Sequence, residues 1–179
     1  MTQEIYQKAM KFAGEKHSEQ KVPGSQANYL LHISNVAMEV LTSYCHEKVF
    51  DIDFAIQLAI LHDTIEDTSA TYEEIQQEFG RNVAQGVLAL TKNNELPSKR
   101  ESMLDSLDRI NKLSKEVGLV KLADRITNLQ TPPSYWDSVK IKAYQEEAKL
   151  IAEKLQDKNK YLHDRLLKKI EEYNKYLNK

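Results

Sequence analysis

FAIQLAILHDTIEDT, residues 54–68, is the stretch on which the fold turns. Phe54 to Leu61 is apolar on almost every side of a helix, as suits a helix running through a core rather than lying on a surface. Asp51 is placed to cap it. The apolar run then gives way to His62-Asp63 and Glu66-Asp67, four metal-competent or proton-handling side chains within six residues. On a helical turn His62 shares a stripe with Glu66, and Asp63 with Asp67, so one turn can present two pairs to one cavity. Burying carboxylates there is costly unless a cation or hydrogen-bond donors compensate, and a metal ion is the simplest compensation.

The same helical texture continues on both sides. Thr2 is expected to cap a first helix reaching His17, with Ile5, Ala9, Phe12 and Ala13 as its stripe. The breakers of KVPGSQAN (21–28) make a loop, and a second helix starting at Tyr29 to Leu31 buries Ile33, Val36, Ala37, Val40 and Leu41. Thr71 and Glu74 have capping-box spacing for a short helix ending at Gly80, and Val83, Val87, Leu88 and Leu90 support another to Thr91. Met103, Leu104, Leu107 and Ile110 mark a further helix. Gly118 opens LVKLADRITNLQ, which stops before Pro132-Pro133; Ser134 with Asp137 then suggests a long helix from Tyr135 to Leu155. A final helix spans Lys160 to Leu177. No segment alternates long enough for a strand, so the expectation is an all-α bundle of about eight to ten helices. It should form one domain over residues 1–179, with the C-terminal helix packed on it.

Composition narrows the function. At 179 residues the chain suits one domain with a real core. With 25 Lys+Arg against 27 Asp+Glu it has no global attraction for polyanions, which disfavours nucleic acid as a partner and leaves phosphate recognition to locally placed cations. The single cysteine, Cys45, excludes an intramolecular disulfide or a thiolate zinc cluster and fits a reducing compartment, so the cytoplasm is expected. No apolar run suits a membrane span or a signal core.

The donor set is completed by His32 upstream and Asp124 in VKLADRITNL downstream. His, His-Asp and Asp from three helices supply two nitrogens and two oxygens, enough for one divalent metal. Taken singly, each has a plainer reading: His32 as a helix-start group, Asp124 as a salt-bridge partner of Lys121 or Arg125, HDTIED as a solvated helix end. Their joint occurrence, each beside an apolar helical segment, favours the metal site. His17, His46 and His163 lack such a setting.

Taken together, the motifs resemble the HD-domain metal phosphohydrolases, and within them the small stand-alone alarmone hydrolases related to the hydrolase half of RelA/SpoT proteins. The resemblance rests on AxxKH (Ala13–His17), YLLH (Tyr29–His32), LAILHDTIEDT (Leu58–Thr68), Phe79-Gly80, Leu90-Thr91, VKLADRITNL (Val120–Leu129) and the set Trp136, Lys140, Tyr144. It implies that His32, His62, Asp63 and Asp124 ligate one divalent ion, usually manganese in this family, and that Glu66 and Asp67 orient and activate the attacking water. The implied reaction is hydrolysis of the 3′-pyrophosphate of ppGpp or pppGpp to GDP or GTP and pyrophosphate.

For this small-molecule nucleotide the resemblance suggests Lys21 as a phosphate or base contact, and Asn128 and Tyr144 near the ribose and 5′-phosphate. Lys99, Arg100 and Lys140 are the suggested phosphate cations. Trp136 reads as a core or rim residue. Two departures stand out: Lys21-Val22 where relatives commonly carry Arg and another basic residue, and His32-Ile33 where they carry His-Pro. Lysine lacks arginine's planar, bidentate contacts, so base recognition is expected to differ. Other readings stay open: an HD phosphohydrolase acting on the NADPH 2′-phosphate or a deoxynucleoside monophosphate, a non-catalytic nucleotide-sensing module, or a metal-free helical interaction protein. A homo-oligomer is compatible with any of them.

Overall fold

In the computed structural model, residues 1–177 are described, and residues 178 and 179 of the expected domain span lie outside them. The described residues form ten α-helices: α1 (Thr2–Lys16), α2 (Leu30–His46), α3 (Ile52–Leu61), α4 (Thr64–Asp67), α5 (Tyr72–Phe79), α6 (Arg81–Leu90), α7 (Lys99–Asn111), α8 (Lys115–Asn128), α9 (Ser138–Lys154) and α10 (Lys160–Tyr173), followed by a 3-10 turn, Asn174–Tyr176. The class is all-α; the sole extended pairing among the described residues is an isolated bridge between Lys21 and Asn28.

As its composition demands, α3 runs through the centre: Ala55, Ile56, Leu58, Ala59, Ile60 and Leu61 are fully buried. It packs against α1, α2, α6 and α8. The other fully wrapped helix is α8, in which every residue from Glu116 to Thr127 is buried. α8, α2 and the turn that follows α3 supply the donors of the centre. α10 lies on α8 and α9 with Leu162, Leu166, Ile170 and Tyr173 buried, and it ends at Tyr173, where the chain tightens into the 3-10 turn instead of continuing as α-helix to Leu177.

Several boundaries differ from the sequence reading for local reasons. Thr2 is not a cap: Met1 precedes the helix, and the Thr2 hydroxyl bonds Asp53 Oδ1 of α3 at 2.5 Å. Ser134 does not open α9 either; Asp137 accepts from the Lys140 amide, so the helix starts at Ser138. Gly118 lies inside the first turns of α8, not before it. A Cβ there would come within 2.6 Å of Lys158 Cγ, so this glycine admits the chain that leads into α10.

The largest departure is at the motif itself. HDTIED is not one turn of a continued α3, because the helix ends at Leu61 and α4 begins at Thr64. Side chains take over the carbonyls at the break: His62 Nδ1 donates to Ala59 O at 2.8 Å, and Thr64 Oγ1 to Leu61 O at 2.7 Å. His62 and Asp63 thus sit at the junction of the two helices, while Glu66 and Asp67 follow in α4, where the Asp67 amide still bonds Asp63 O at 2.9 Å.

Candidate metal centre

Four side chains from α2, the α3–α4 turn and α8 converge. His32 Nε2 lies 3.3 Å from His62 Nε2, 3.7 Å from Asp63 Oδ2 and 3.4 Å from Asp124 Oδ1. His62 Nε2 lies 2.8 Å from Asp63 Oδ2 and 3.8 Å from Asp124 Oδ1, and all four donor atoms fall within 4.8 Å of one another. Donors about 2.1 Å from a common ion stand about 3.0–3.4 Å apart in octahedral or tetrahedral arrangements, so these spacings suit ligands around one centre. Most are too long for hydrogen bonds among the four groups themselves.

The surroundings orient the donors. Because His62 Nδ1–H is committed to Ala59 O, its Nε2 lone pair faces the centre. Tyr29 Oη donates to Asp63 Oδ2 at 2.5 Å. Lys121 Nζ donates to Asp124 Oδ2 at 3.1 Å, and Asn128 Nδ2 to Asp124 Oδ1 at 2.5 Å. Lys121 thus compensates Asp124. Asp63 has no lysine or arginine partner among the described residues, only the Tyr29 hydroxyl and the imidazoles, which leaves a half-buried negative charge that a cation would offset.

The electrostatics of the four groups points the same way. Burial would raise Asp63, but the adjacent His62 holds it well below the usual carboxylate range. Burial would likewise raise Asp124, but Lys121 and the two imidazoles hold it down. Burial would lower His62, yet Asp63 and Asp124 push it up to about 9, because the two carboxylates favour positive charge at this point. The donor chemistry therefore fits a divalent ion.

Glu66 and Asp67 have partners in two different loops. Glu66 accepts from the Lys92 backbone amide at 2.9 Å and lies 3.3 Å from Lys92 Nζ, in the loop after α6. Asp67 opens to solvent and accepts from Gln20 Nε2 at 2.8 Å. Partial burial of its carboxyl, and then the Asp63 carboxylate, push Asp67 above the ordinary aspartate value.

A cleft of about 300 Å³ opens from His32, at the lower end of the size range of small-molecule sites, about 300–1,000 Å³. Asn128, Trp136 and Tyr144 line it, with Val22 to Ser25 on one wall and Gln130 to Pro133 on the other. The walls meet where Gly24, at φ +76°, packs on Pro133; a Cβ there would be 3.1 Å from Pro133 Cβ, and the left-handed backbone itself favours glycine. Tyr144 is fixed between Trp136, at 5.0 Å between ring centroids, and the Arg125 guanidinium, 4.4 Å from its ring; buried Arg125 also pairs with Glu147 of α9. A larger cavity of about 440 Å³ beside α10 shares Asn35, Thr127, Gln130, Thr131 and Tyr173 with the cleft but holds none of the four donors.

The remaining expected contacts are spread out. Lys140 places Nζ 4.4 Å from the Trp136 ring, at the cleft mouth. Lys21 is exposed and bonds Gln26 Oε1 at 2.6 Å. Lys99 and Arg100 are exposed in the first turn of α7 and do not line the cleft. Sequence reasoning missed Tyr29, Gln20 and Lys92. Tyr29 stands three residues before His32, a helical spacing that could have flagged it; Gln20 and Lys92 lie in loops, where spacing carries no such signal.

Known proteins resemble this chain over most of its length. A guanosine-3′,5′-bis(diphosphate) 3′-pyrophosphohydrolase MESH1 from Danio rerio is 34% identical over 161 residues, covering 87% of this chain and 86% of that protein. A guanosine-3′,5′-bis(diphosphate) 3′-pyrophosphohydrolase from Aquifex aeolicus is 37% identical over 131 residues, 72% of this chain but 18% of that longer protein. Among solved structures, a metazoan ortholog of SpoT that hydrolyzes ppGpp and plays a role in starvation responses superposes with a TM-score of 0.82 at 26% identity, covering 94% of each chain. The family profile described as HD domain matches residues 9–157, so this chain belongs to the HD domain family.

Proposed function

We propose that this chain hydrolyses the 3′-pyrophosphate of ppGpp or pppGpp, giving GDP or GTP and pyrophosphate. The observation that carries this reading is the likeness over 94% of both chains to a protein that hydrolyzes ppGpp. The four-donor centre gives it a chemical basis. His32, His62, Asp63 and Asp124 would hold a divalent ion, which we assign as manganese, in keeping with the family. Such an ion supplies a water ionisable near neutral pH and positive charge for the phosphate oxygens.

The chain's own groups do the rest. Glu66, tethered by Lys92, orients the attacking water, and Asp67 accepts its proton. Water oxygen joins the first phosphorus of the 3′-pyrophosphate as the bond to the ribose 3′ oxygen breaks, and the ribose hydroxyl is restored by a proton. Asn128 and Tyr144 on the cleft walls receive the ribose and the 5′-phosphate end. Lys21 and Lys140 meet phosphate at the mouth, and Lys99 and Arg100 add positive charge from the start of α7. The single-domain organisation and a cytoplasmic setting complete the proposal. Among the described residues no helix is long and apolar enough to cross a membrane.

The test is incubation of purified, Mn²⁺-loaded protein with ppGpp, pppGpp, NADPH and deoxynucleoside monophosphates, with products resolved by anion exchange. Pyrophosphate is expected from the alarmones. Its absence from both, with metal content verified, overturns the reading.

A further inference from the structure

His17, at the end of α1, is 1% exposed, although its ring carries two polar nitrogens. Nδ1 lies 2.5 Å from Gln20 Oε1, while Nε2 is buried without a hydrogen-bond partner. The protonation pattern follows from the other end of the chain of contacts. Gln20 Nε2 lies 2.8 Å from Asp67 Oδ2, and a carboxylate can only accept, so the amide nitrogen faces Asp67 and the amide oxygen faces His17. Nδ1 must then carry the hydrogen. Burial also lowers the His17 pKa, which keeps the ring in this one uncharged form.

The same ring stacks on Tyr29 at 5.0 Å between centroids, and Tyr29 in turn donates to Asp63. A residue that served only packing would do better as leucine or phenylalanine, because a buried, unpartnered ring nitrogen loses its hydration without a hydrogen bond in return. What His17 adds over an apolar side chain is the oriented N–H aimed at Gln20.

We propose that His17 and Gln20 are positioning residues for Asp67: the imidazole fixes the Gln20 amide, and the amide holds the Asp67 carboxylate facing the attacking water at the rim of the metal centre. The proposal rests on the reading of Asp67 as the proton acceptor. One buried imidazole thereby braces both a metal-ligand carboxylate, through Tyr29, and the water-handling carboxylate, through Gln20.

The test compares Gln20→Leu, His17→Phe, His17→Asn and the double variant His17→Phe/Gln20→Leu as Mn²⁺-loaded proteins hydrolysing ppGpp. Gln20→Leu and His17→Phe are expected to lower kcat about 10–100-fold, the range for loss of a supporting hydrogen bond, with KM and metal content unchanged. His17→Asn, whose amide N–H can replace Nδ1–H, should recover most of the loss, and the double variant should fall no further than Gln20→Leu. In Zn²⁺-loaded protein, ¹⁵N NMR should find His17 as the Nδ1–H tautomer and released from it in Gln20→Leu. An unchanged kcat in Gln20→Leu, losses that multiply in the double variant, or an Nε2–H tautomer would each overturn the proposal. Failure of the wild-type protein to release pyrophosphate from either alarmone would instead sink the functional reading, and the tautomer measurement would still decide the His17–Gln20 arrangement.

Discussion

Tyr29→Phe isolates the support of one metal ligand. The substitution removes the hydroxyl that donates to Asp63 Oδ2 at 2.5 Å while keeping the ring that stacks between His17 and His32, 5.0 Å from each. A hydrogen bond to a charged group is worth about 1.5–3 kcal/mol, and every 1.4 kcal/mol is about tenfold in an equilibrium constant. In the metal-free protein Asp63 keeps His62 Nε2 at 2.8 Å, so the fold itself should lose little. With an ion bound, that lone pair is engaged, and the Tyr29 hydroxyl becomes the main donor left to Asp63. Metal affinity should therefore fall about 10–100-fold. By linkage, the rise in Tm on saturation with metal should shrink by about 3–12 °C, taking about 2–4 °C per kcal/mol for a chain of this size. Chelator competition for Mn²⁺ and thermal unfolding with and without metal measure the two effects. Unchanged affinity together with a lower Tm of the metal-free protein would refute the reasoning, because Tyr29 would then serve the fold and not the centre.

Asp63→Ala should lose bound metal, whereas Glu66→Ala should keep it and lose about 10²–10⁴-fold in turnover; metal analysis alongside kcat separates the two, and full activity in Glu66→Ala removes that residue from the mechanism. Because partial burial and Asp63 push Asp67 upward, its proton-accepting form is lost as pH falls through a value above the ordinary aspartate range of about 4. The acid limb of kcat/KM should accordingly lie above that range, and a limb within it would count against Asp67 as the base. Gly86→Ala would bring a Cβ within 2.5 Å of Leu58 Cδ2 in the core, an overlap costing about 1–3 kcal/mol that outweighs the gain of about 0.8–1.0 kcal/mol in helix propensity. The expected result is a Tm lower by about 2–4 °C in calorimetry, and a rise would show that the core yields there.

The fold was legible where one residue's neighbours in sequence are also its neighbours in space. The Thr71–Glu74 capping box, the Asp51 cap and the all-round apolar character of α3 are local devices, and each is found where the spacing put it. The four donors were legible for a related reason, since each lies beside a buried helical run. Thr2, Ser134 and Gly118 misled because their environments are tertiary: Asp53 claims one, Asp137 outcompetes the second, and Lys158 requires the third. The break after Leu61 was invisible because it depends on where the His62 and Thr64 side chains turn, and i,i+4 arithmetic assumes that no break exists. Gln20 and Lys92 were out of reach for the same reason in stronger form, reaching Asp67 and Glu66 across 47 and 26 residues of chain.

The enclosure of α8 has a consequence for how such a protein can change. Asp124, its partner Lys121 and the brace Arg125 sit on a helix with no free side, so the ligand sphere cannot drift unless the whole interior is rebuilt. The cleft walls, by contrast, are surface chain on either side of Gly24 and Pro133. Reactivity and selectivity are thus inherited separately. The wall segments can be rewritten to admit a different nucleotide while the catalytic apparatus is passed on intact.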